Sequence, residues 1–407
     1  MSHQIFADLR HWMFEDALPF WSTEGIDQRH GGYVEHFTLE GEPFTENKRV
    51  FVICRQIYVF AHAALLGWPK GAALADHGYR FLEKAWLADD GGWARRLDAE
   101  GHPVDKTPDL YVLSFVLIAL AWHYRLSKDP KALARAHKTL DFIKTRMRHP
   151  SGLGFLHEYP AAGPRQQNPH MHLVEGLLAL AEFTGEQRFL EAAGKLAGLF
   201  VSHFYDAKTR TLPEFFAEDW GRLDSAQGRL TEPGHQFEWA WILANYQRLT
   251  GNDMRDIIIG LHRSAERHGV DPKTRATYNS VRDDGKVLNK GSRIWPNTER
   301  MKAAVAMFEL TGRSPLADLD QSGRLLLDAY LAPALKGCWF DNLDENGMAI
   351  ADKIPTSSLY HLFLPFAEAL RIAPRLVDAD IETRREAADL LNQMPMEVFG
   401  SIIWNRG

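Results

Sequence analysis

Cysteine is scarce in this 407-residue chain, with Cys54 and Cys338 the only two. Both sit among apolar neighbours, so neither a disulfide scaffold nor a thiolate metal site is expected. Long runs of one charge are absent as well. The 47 basic and 53 acidic residues give a net charge of −6 and are interspersed along the chain. That leaves no basic footprint for nucleic acid and no polybasic face for a membrane. The longest nearly unbroken apolar run, Tyr111–Trp122, falls well short of the roughly 20 residues that a membrane span needs. The opening stretch MSHQIFADLRHWMFEDALPFW has acids within its apolar part and no small-residue cleavage site, so it does not read as a secretory signal. Glycine-rich phosphate loops in a strand-to-helix setting are missing, and HEYP (157–160) lacks the second histidine of a zinc-protease helix. What remains is the composition of an ordinary globular protein, 45% apolar and 25% charged, expected to be soluble and cytoplasmic.

What the chain does contain is a repeat. Six segments read as hairpins or turns: GGYVEHFTLEGEPF (31–44), GGWARRLDAEGHPV (91–104), GLGFLHEYPAAGP (152–164), RTLPEFFAEDWG (210–221), RATYNSVRDDGKV (275–287) and GCWFDNLDENGMAI (337–350). Their starts recur at intervals of roughly 55–65 residues. After each comes an amphipathic stretch of helical period: Arg49–Leu66, Pro108–Leu126, Asn168–Thr184, Glu232–Leu249, Pro296–Leu310 and Ser357–Leu370. Several end in a stop signal and a second helix, as in EFTGEQRFLEAAGKLAGLF, where glycine suits the helix C-terminus. Hairpin–helix–turn–helix, six times over, predicts an all-α fold. The expected form is an (α/α)6 barrel with short β-hairpins on one face, with an open solenoid as the competing arrangement. One domain over residues 1–407 is expected, since no Pro/Ser linker interrupts it. Beyond about residue 374, Asp378–Met394 reads as an extra amphipathic helix followed by a tail.

The first helix of each unit carries polar and aromatic groups in its N-terminal turns, where a packed helix usually has none. They are Arg55; Asp109 and Tyr111; Asn168, His170, His172 and Glu175; Glu232, His235 and Glu238; Arg293, Trp295 and Glu299; and Tyr360 and His361. If these helices form an inner ring, their N-terminal ends border one pocket. Asn168, His172 and Glu175 follow i, i+4, i+7 and share a face, from which His170 points away. His235 and Glu238, at i and i+3, place a carboxylate where it can orient the imidazole. Asp109 suits a helix cap, and Glu232 suits a helix start. Histidines with carboxylates point to acid–base chemistry near neutral pH, and aromatics beside Arg, Asn and Glu suit a sugar. Because the possible ligands are interspersed with Trp, Arg and Asn, the pocket is expected to hold neither metal nor cofactor.

The motifs CRQIYVFAHA, NPHMHLVEG, EPGHQFEWAW, WPNTERMKA and SSLYHLF together resemble those of the N-acylglucosamine 2-epimerase superfamily of (α/α)6 barrels, over nearly the whole six-unit region. Within it the NPHMHLVEG and EPGHQFEWAW forms look most like the bacterial D-mannose isomerases. The resemblance implies that His235 and His361 are the acid–base pair, with Arg55, Tyr111, Asn168, His172, Glu238, Trp295 and Glu299 around a small sugar. It implies interconversion of unphosphorylated D-mannose and D-fructose through a cis-enediol(ate). In that scheme His361 assists ring opening, His235 takes the C2 proton, Glu238 holds its tautomer and Arg55 stabilises the oxyanion. A sugar 2-epimerase of the N-acylglucosamine, cellobiose or mannose type would use nearly the same groups. A glycoside hydrolase would need two carboxylates across the scissile bond, and a purely binding barrel would leave the histidines without a role.

Overall fold

The computed structural model of the chain describes residues 4–87 and 91–377. Six helices form an inner ring: Val50–Leu65, Leu110–Ser127, Asn168–Thr184, Pro233–Thr250, Ile294–Thr311 and Leu359–Val377. The first is buried around almost its whole circumference, with only Phe51 half-buried among residues 50–63. A helix apolar on every side has to lie between other elements. Leu110–Ser127 is long and apolar enough to pass for a membrane span, yet it too is packed inside this ring.

The outer helices bury one face only. Arg255–Gly269, for example, directs Ile258, Leu261 and Ala265 inward. Gly71–Leu82, Pro130–Arg146, Gln187–Leu199 and Leu316–Leu325 complete five of the six outer places. Six repeats of hairpin–helix–turn–helix would have each unit supply its own outer helix, and here the sixth unit departs from expectation. Its outer place is filled from the front of the chain by Gln4–His11, which runs on through Trp12–Ala17 to Leu18–Trp21. This segment packs on Leu316–Leu325 and on the last inner helix. Trp21 is fully buried, donates from Nε1 to the Gly337 carbonyl at 2.9 Å and stacks on Trp339 at 5.1 Å. The stretch Asp378–Met394 and the tail after it lie outside the described residues.

Each inner helix is entered from a strand or bridge that pairs antiparallel with the next unit's hairpin. Asn47–Arg49 pairs with Arg96–Asp98, Asp109 with Glu158, and Arg165–Gln166 with Phe215–Phe216. Leu230–Thr231 pairs with Ser280–Arg282, and Ser292–Arg293 with Asn342–Leu343. Finally Ile354–Pro355 pairs back onto His36–Phe37 of the first hairpin. That last pairing, together with contact between the last and first inner helices, closes the ring and excludes the open solenoid. All six inner helices therefore start at the hairpin face. Local sequence sets their ends. Asp109 caps Val112 N at 3.1 Å, and Gly185, Gly251 and Gly312 stop three helices at φ of 73°, 73° and 75°, where a Cβ would be strained.

Candidate active site

His235 and His361 sit in the first turns of the fourth and sixth inner helices, each 7% exposed. Trp295, at the start of the fifth, lies against both, with ring centroids 4.9 Å from His235 and 5.8 Å from His361. The two imidazoles thus share one indole wall while each keeps its own carboxylate.

For His235 that carboxylate is Glu214, not Glu238. Glu214 comes from the preceding hairpin, and its Oε2 is 2.8 Å from His235 Nδ1. The same carboxylate accepts from Gln167 Nε2 at 2.9 Å and from the Glu232 backbone N–H at 3.1 Å. Gln167 is itself fixed by Trp239 Nε1 at 2.6 Å. The expected orienting role of Glu238 fails because its side chain turns the other way, to 3.9 Å from His172 Nδ1 and 3.6 Å from Lys302 Nζ. Glu232 does stand just ahead of its helix, but its side chain makes no cap. Its carboxylate accepts from Arg293 at 2.9 Å and lies 3.9 Å from His235 Nδ1.

For His361 the partner is Glu299, with Nδ1 2.9 Å from Oε1. Glu299 is fully buried and its other oxygen is 2.6 Å from Lys302 Nζ, which is also fully buried. His172 Nδ1 is 3.1 Å from Glu175 Oε2, as the shared helical face requires, and Tyr360 Oη donates to the other oxygen of Glu175. Arg55 donates to Tyr111 Oη at 2.7 Å and to the Ser357 carbonyl at 3.0 Å. Its guanidinium lies over the Phe115 and Tyr360 rings at 4.4 and 5.1 Å. Tyr111 in turn packs edge-on against His172 at 5.2 Å. Asn168 opens its helix with a buried Oδ1 that has no protein partner. His170 points away, to the Phe155 backbone N–H and the Gln166 carbonyl.

The two histidines face opposite electrostatics. Burial disfavours a charged His235, but Glu214, then Glu232 and Glu238, outweigh it and hold the imidazole up at about 9. Burial also disfavours a charged His361, and the cations of Arg55 and Lys302 reinforce it, so that ring stays well below the ordinary histidine value. At neutral pH one is an imidazolium and the other a free base. This is the arrangement for paired acid and base work, though it opposes the expected assignment of the C2 base to His235.

Atoms of His172, Glu175 and Glu238, and of Glu238, Glu299 and His361, lie close enough together to share a cation. The ammonium of Lys302 already stands between Glu299 and Glu238. Glu214 and Lys302 are the functional neighbours that periodicity missed. Glu214 lies 21 residues before its histidine, in a hairpin, and Lys302 reads from spacing as an ordinary i+3 surface partner of Glu299. A second cavity, about 100 Å³ and partly open to solvent, lies at the far ends of the inner helices. Its charges are mutually paired, Arg248 with Glu182 and Arg371 with Glu368.

The profile of the N-acylglucosamine 2-epimerase (GlcNAc 2-epimerase) family matches residues 31–365. The chain is 32% identical over 375 residues to a mannose-6-phosphate isomerase of Rhizobium meliloti (strain 1021), covering 90% of this chain and 97% of that one. It is 27% identical over 326 residues to a D-mannose isomerase of Thermobifida fusca, covering 75% and 79%. In fold it is similar to cellobiose 2-epimerase from Bacillus thermoamylovorans B4167, with a TM-score of 0.82, 20% identity and coverage of 90% and 99%. The chain belongs to the N-acylglucosamine 2-epimerase family of sugar isomerases and epimerases.

Proposed function

We propose that the chain is an aldose–ketose isomerase that interconverts unphosphorylated D-mannose and D-fructose. The observation that carries this is the pair of histidines on the shared wall of Trp295, one protonated and one neutral. In this scheme the His235 imidazolium protonates the ring oxygen as the C1–O5 bond breaks and takes up the proton that the O1 hydroxyl loses, so the open aldose forms with His235 charged again. His361, neutral and oriented by Glu299, takes the C2 proton while His235 protonates O1, which gives the cis-enediol. His361 then returns its proton to C1 and His235 recovers one from the C2 hydroxyl, leaving the ketose. Arg55 supplies a fixed cation beside Tyr111 for developing oxygen charge. Tyr111, Asn168, His172, Glu238 and Trp295 offer the stacking face and hydrogen-bonding groups for the sugar.

The relative named D-mannose isomerase supports this reading. An uncharged sugar is favoured by how the cations near the mouth are engaged: Arg49 with Glu35, Arg95 with Asp105 and Arg293 with Glu232. A 2-epimerase is the second reading, since two acid–base groups on one indole wall also permit reprotonation of C2 from its opposite face. A hydrolase fits poorly, because Glu214, Glu175 and Glu299 are engaged by histidine, tyrosine or lysine.

Incubation with D-mannose in D₂O, followed by NMR, tests the proposal. Fructose labelled at C1 is expected. Glucose labelled at C2 would make the protein an epimerase. Turnover of mannose 6-phosphate, cellobiose or N-acetylglucosamine with none of free mannose would overturn the substrate assignment.

A further inference from the structure

Lys302 is a lysine with no exposed surface on the inner helix Ile294–Thr311. Nothing in general sugar chemistry requires a cation there, because a fully buried ammonium does not reach substrate. Its surroundings explain why it stays charged. Nζ is 2.6 Å from Glu299 Oε2 and 3.6 Å from Glu238 Oε1, and lies 4.4 Å over the Trp241 ring. Glu175 and His172 face the cluster from Asn168–Thr184, Glu238 and His235 from Pro233–Thr250, and Arg55 and Tyr58 from Val50–Leu65. Tyr360 and His361 face it from the last inner helix.

Two buried carboxylates, Glu238 and Glu299, converge here with the half-buried Glu175, and carboxylates this close cannot all stay ionised without a cation. Burial, then the Glu238 charge, raise Glu299 well above the ordinary carboxylate value, and the Lys302 ammonium, 2.6 Å from Oε2, is the main influence holding it down. The state of Glu299 matters because its Oε1 meets His361 Nδ1. An ionised Glu299 can only accept, so Nδ1 carries the hydrogen and Nε2 keeps a lone pair. A protonated Glu299 would donate to Nδ1, and the hydrogen would move to Nε2.

We propose that Lys302 is a positioning residue that keeps Glu299 ionised and thereby fixes His361 as the Nδ1–H tautomer, with Nε2 free to act as a base. This rests on the reading of His361 as the base, but the tautomer can be observed without turnover. A lysine that merely tied two helices together would leave the tautomer unchanged on removal.

The experiment is ¹⁵N NMR of protein labelled at histidine, with His361 assigned by comparison with His361→Gln. The wild type is expected to show Nδ1–H and Lys302→Met to show Nε2–H. In parallel, kcat should fall by about tenfold or more with KM little changed. Lys302→Arg, which keeps the charge, should return the Nδ1–H signal and much of kcat. The same tautomer in wild type and Lys302→Met overturns the inference. So does an Nε2–H signal in the wild type, a result that needs no variant to fold. Full activity in His361→Ala would instead defeat the assignment of the base, whatever the tautomer.

Discussion

Replacing Glu214 by Gln removes the charge that most supports a protonated His235 while keeping nearly the same shape. His235 stands at about 9 against an ordinary 6.5. That difference is about 3 kcal/mol in favour of the imidazolium. Without the Glu214 charge, burial has only the more distant Glu232 and Glu238 to oppose it, and the value should fall to about 6.5 or below. At pH 7.5 the protonated fraction would then drop from about 97% to about 9%, so kcat/KM should fall about tenfold. The direction follows from the role of acid. Activity needs the proton, so it is held below the pKa and lost above it. The basic limb of the pH–rate profile should therefore move from about 9 to about 6.5. Because the folded value lies above the unfolded one, the imidazolium also stabilises the fold fully below about 6.5. That contribution is lost as the pH rises through about 9, and Glu214→Gln should flatten the loss. The assays are mannose turnover and thermal melting across pH 5.5–10. An unmoved basic limb in Glu214→Gln, with Glu238→Gln moving it instead, would refute the reasoning and restore the partner suggested by helical spacing.

His235→Ala and His361→Ala should each lower kcat by about 10²–10⁴-fold while helical circular dichroism is kept; near-wild-type turnover in either would remove that residue from the mechanism. Activity should survive exhaustive EDTA treatment, because Lys302 supplies the cation between Glu238 and Glu299. Loss of activity with rescue by a divalent ion would overturn that expectation. Trp21→Ala removes a fully buried indole that stacks on Trp339 and bonds Gly337. It should cost about 3–5 kcal/mol, read as a lower midpoint in urea.

How much of this was legible from sequence depended on the range of the interaction. Asn168–Thr184 could be bounded to the residue, because Asn-Pro opens it and Thr-Gly closes it, and both signals are local. Asp109 was readable as a cap and His172–Glu175 as a shared face for the same reason. Glu238 misled because i, i+3 spacing only makes a contact available. The choice between His235 and His172 is made by which neighbouring helix the carboxylate faces. Glu214 needed the pairing of Arg165–Gln166 with Phe215–Phe216, which brings its hairpin to the mouth. The place of residues 4–21 in the sixth unit depended on packing partners more than 300 residues away, which no local pattern encodes.

That last arrangement has a consequence for biosynthesis. Residues 4–21 leave the ribosome before every surface they cover, and Trp21 finds Gly337 only after a separation of 316 residues. Through most of translation Ile5 and Leu9 wait for Leu316–Leu325 and the last inner helix, and Trp21, although it meets Phe37 early, lacks Trp339 and Gly337. Nascent chains halted before residue 337 should therefore keep this segment open to proteases or to a chaperone. Protection should arrive late and all at once, when the final unit emerges and the circle shuts.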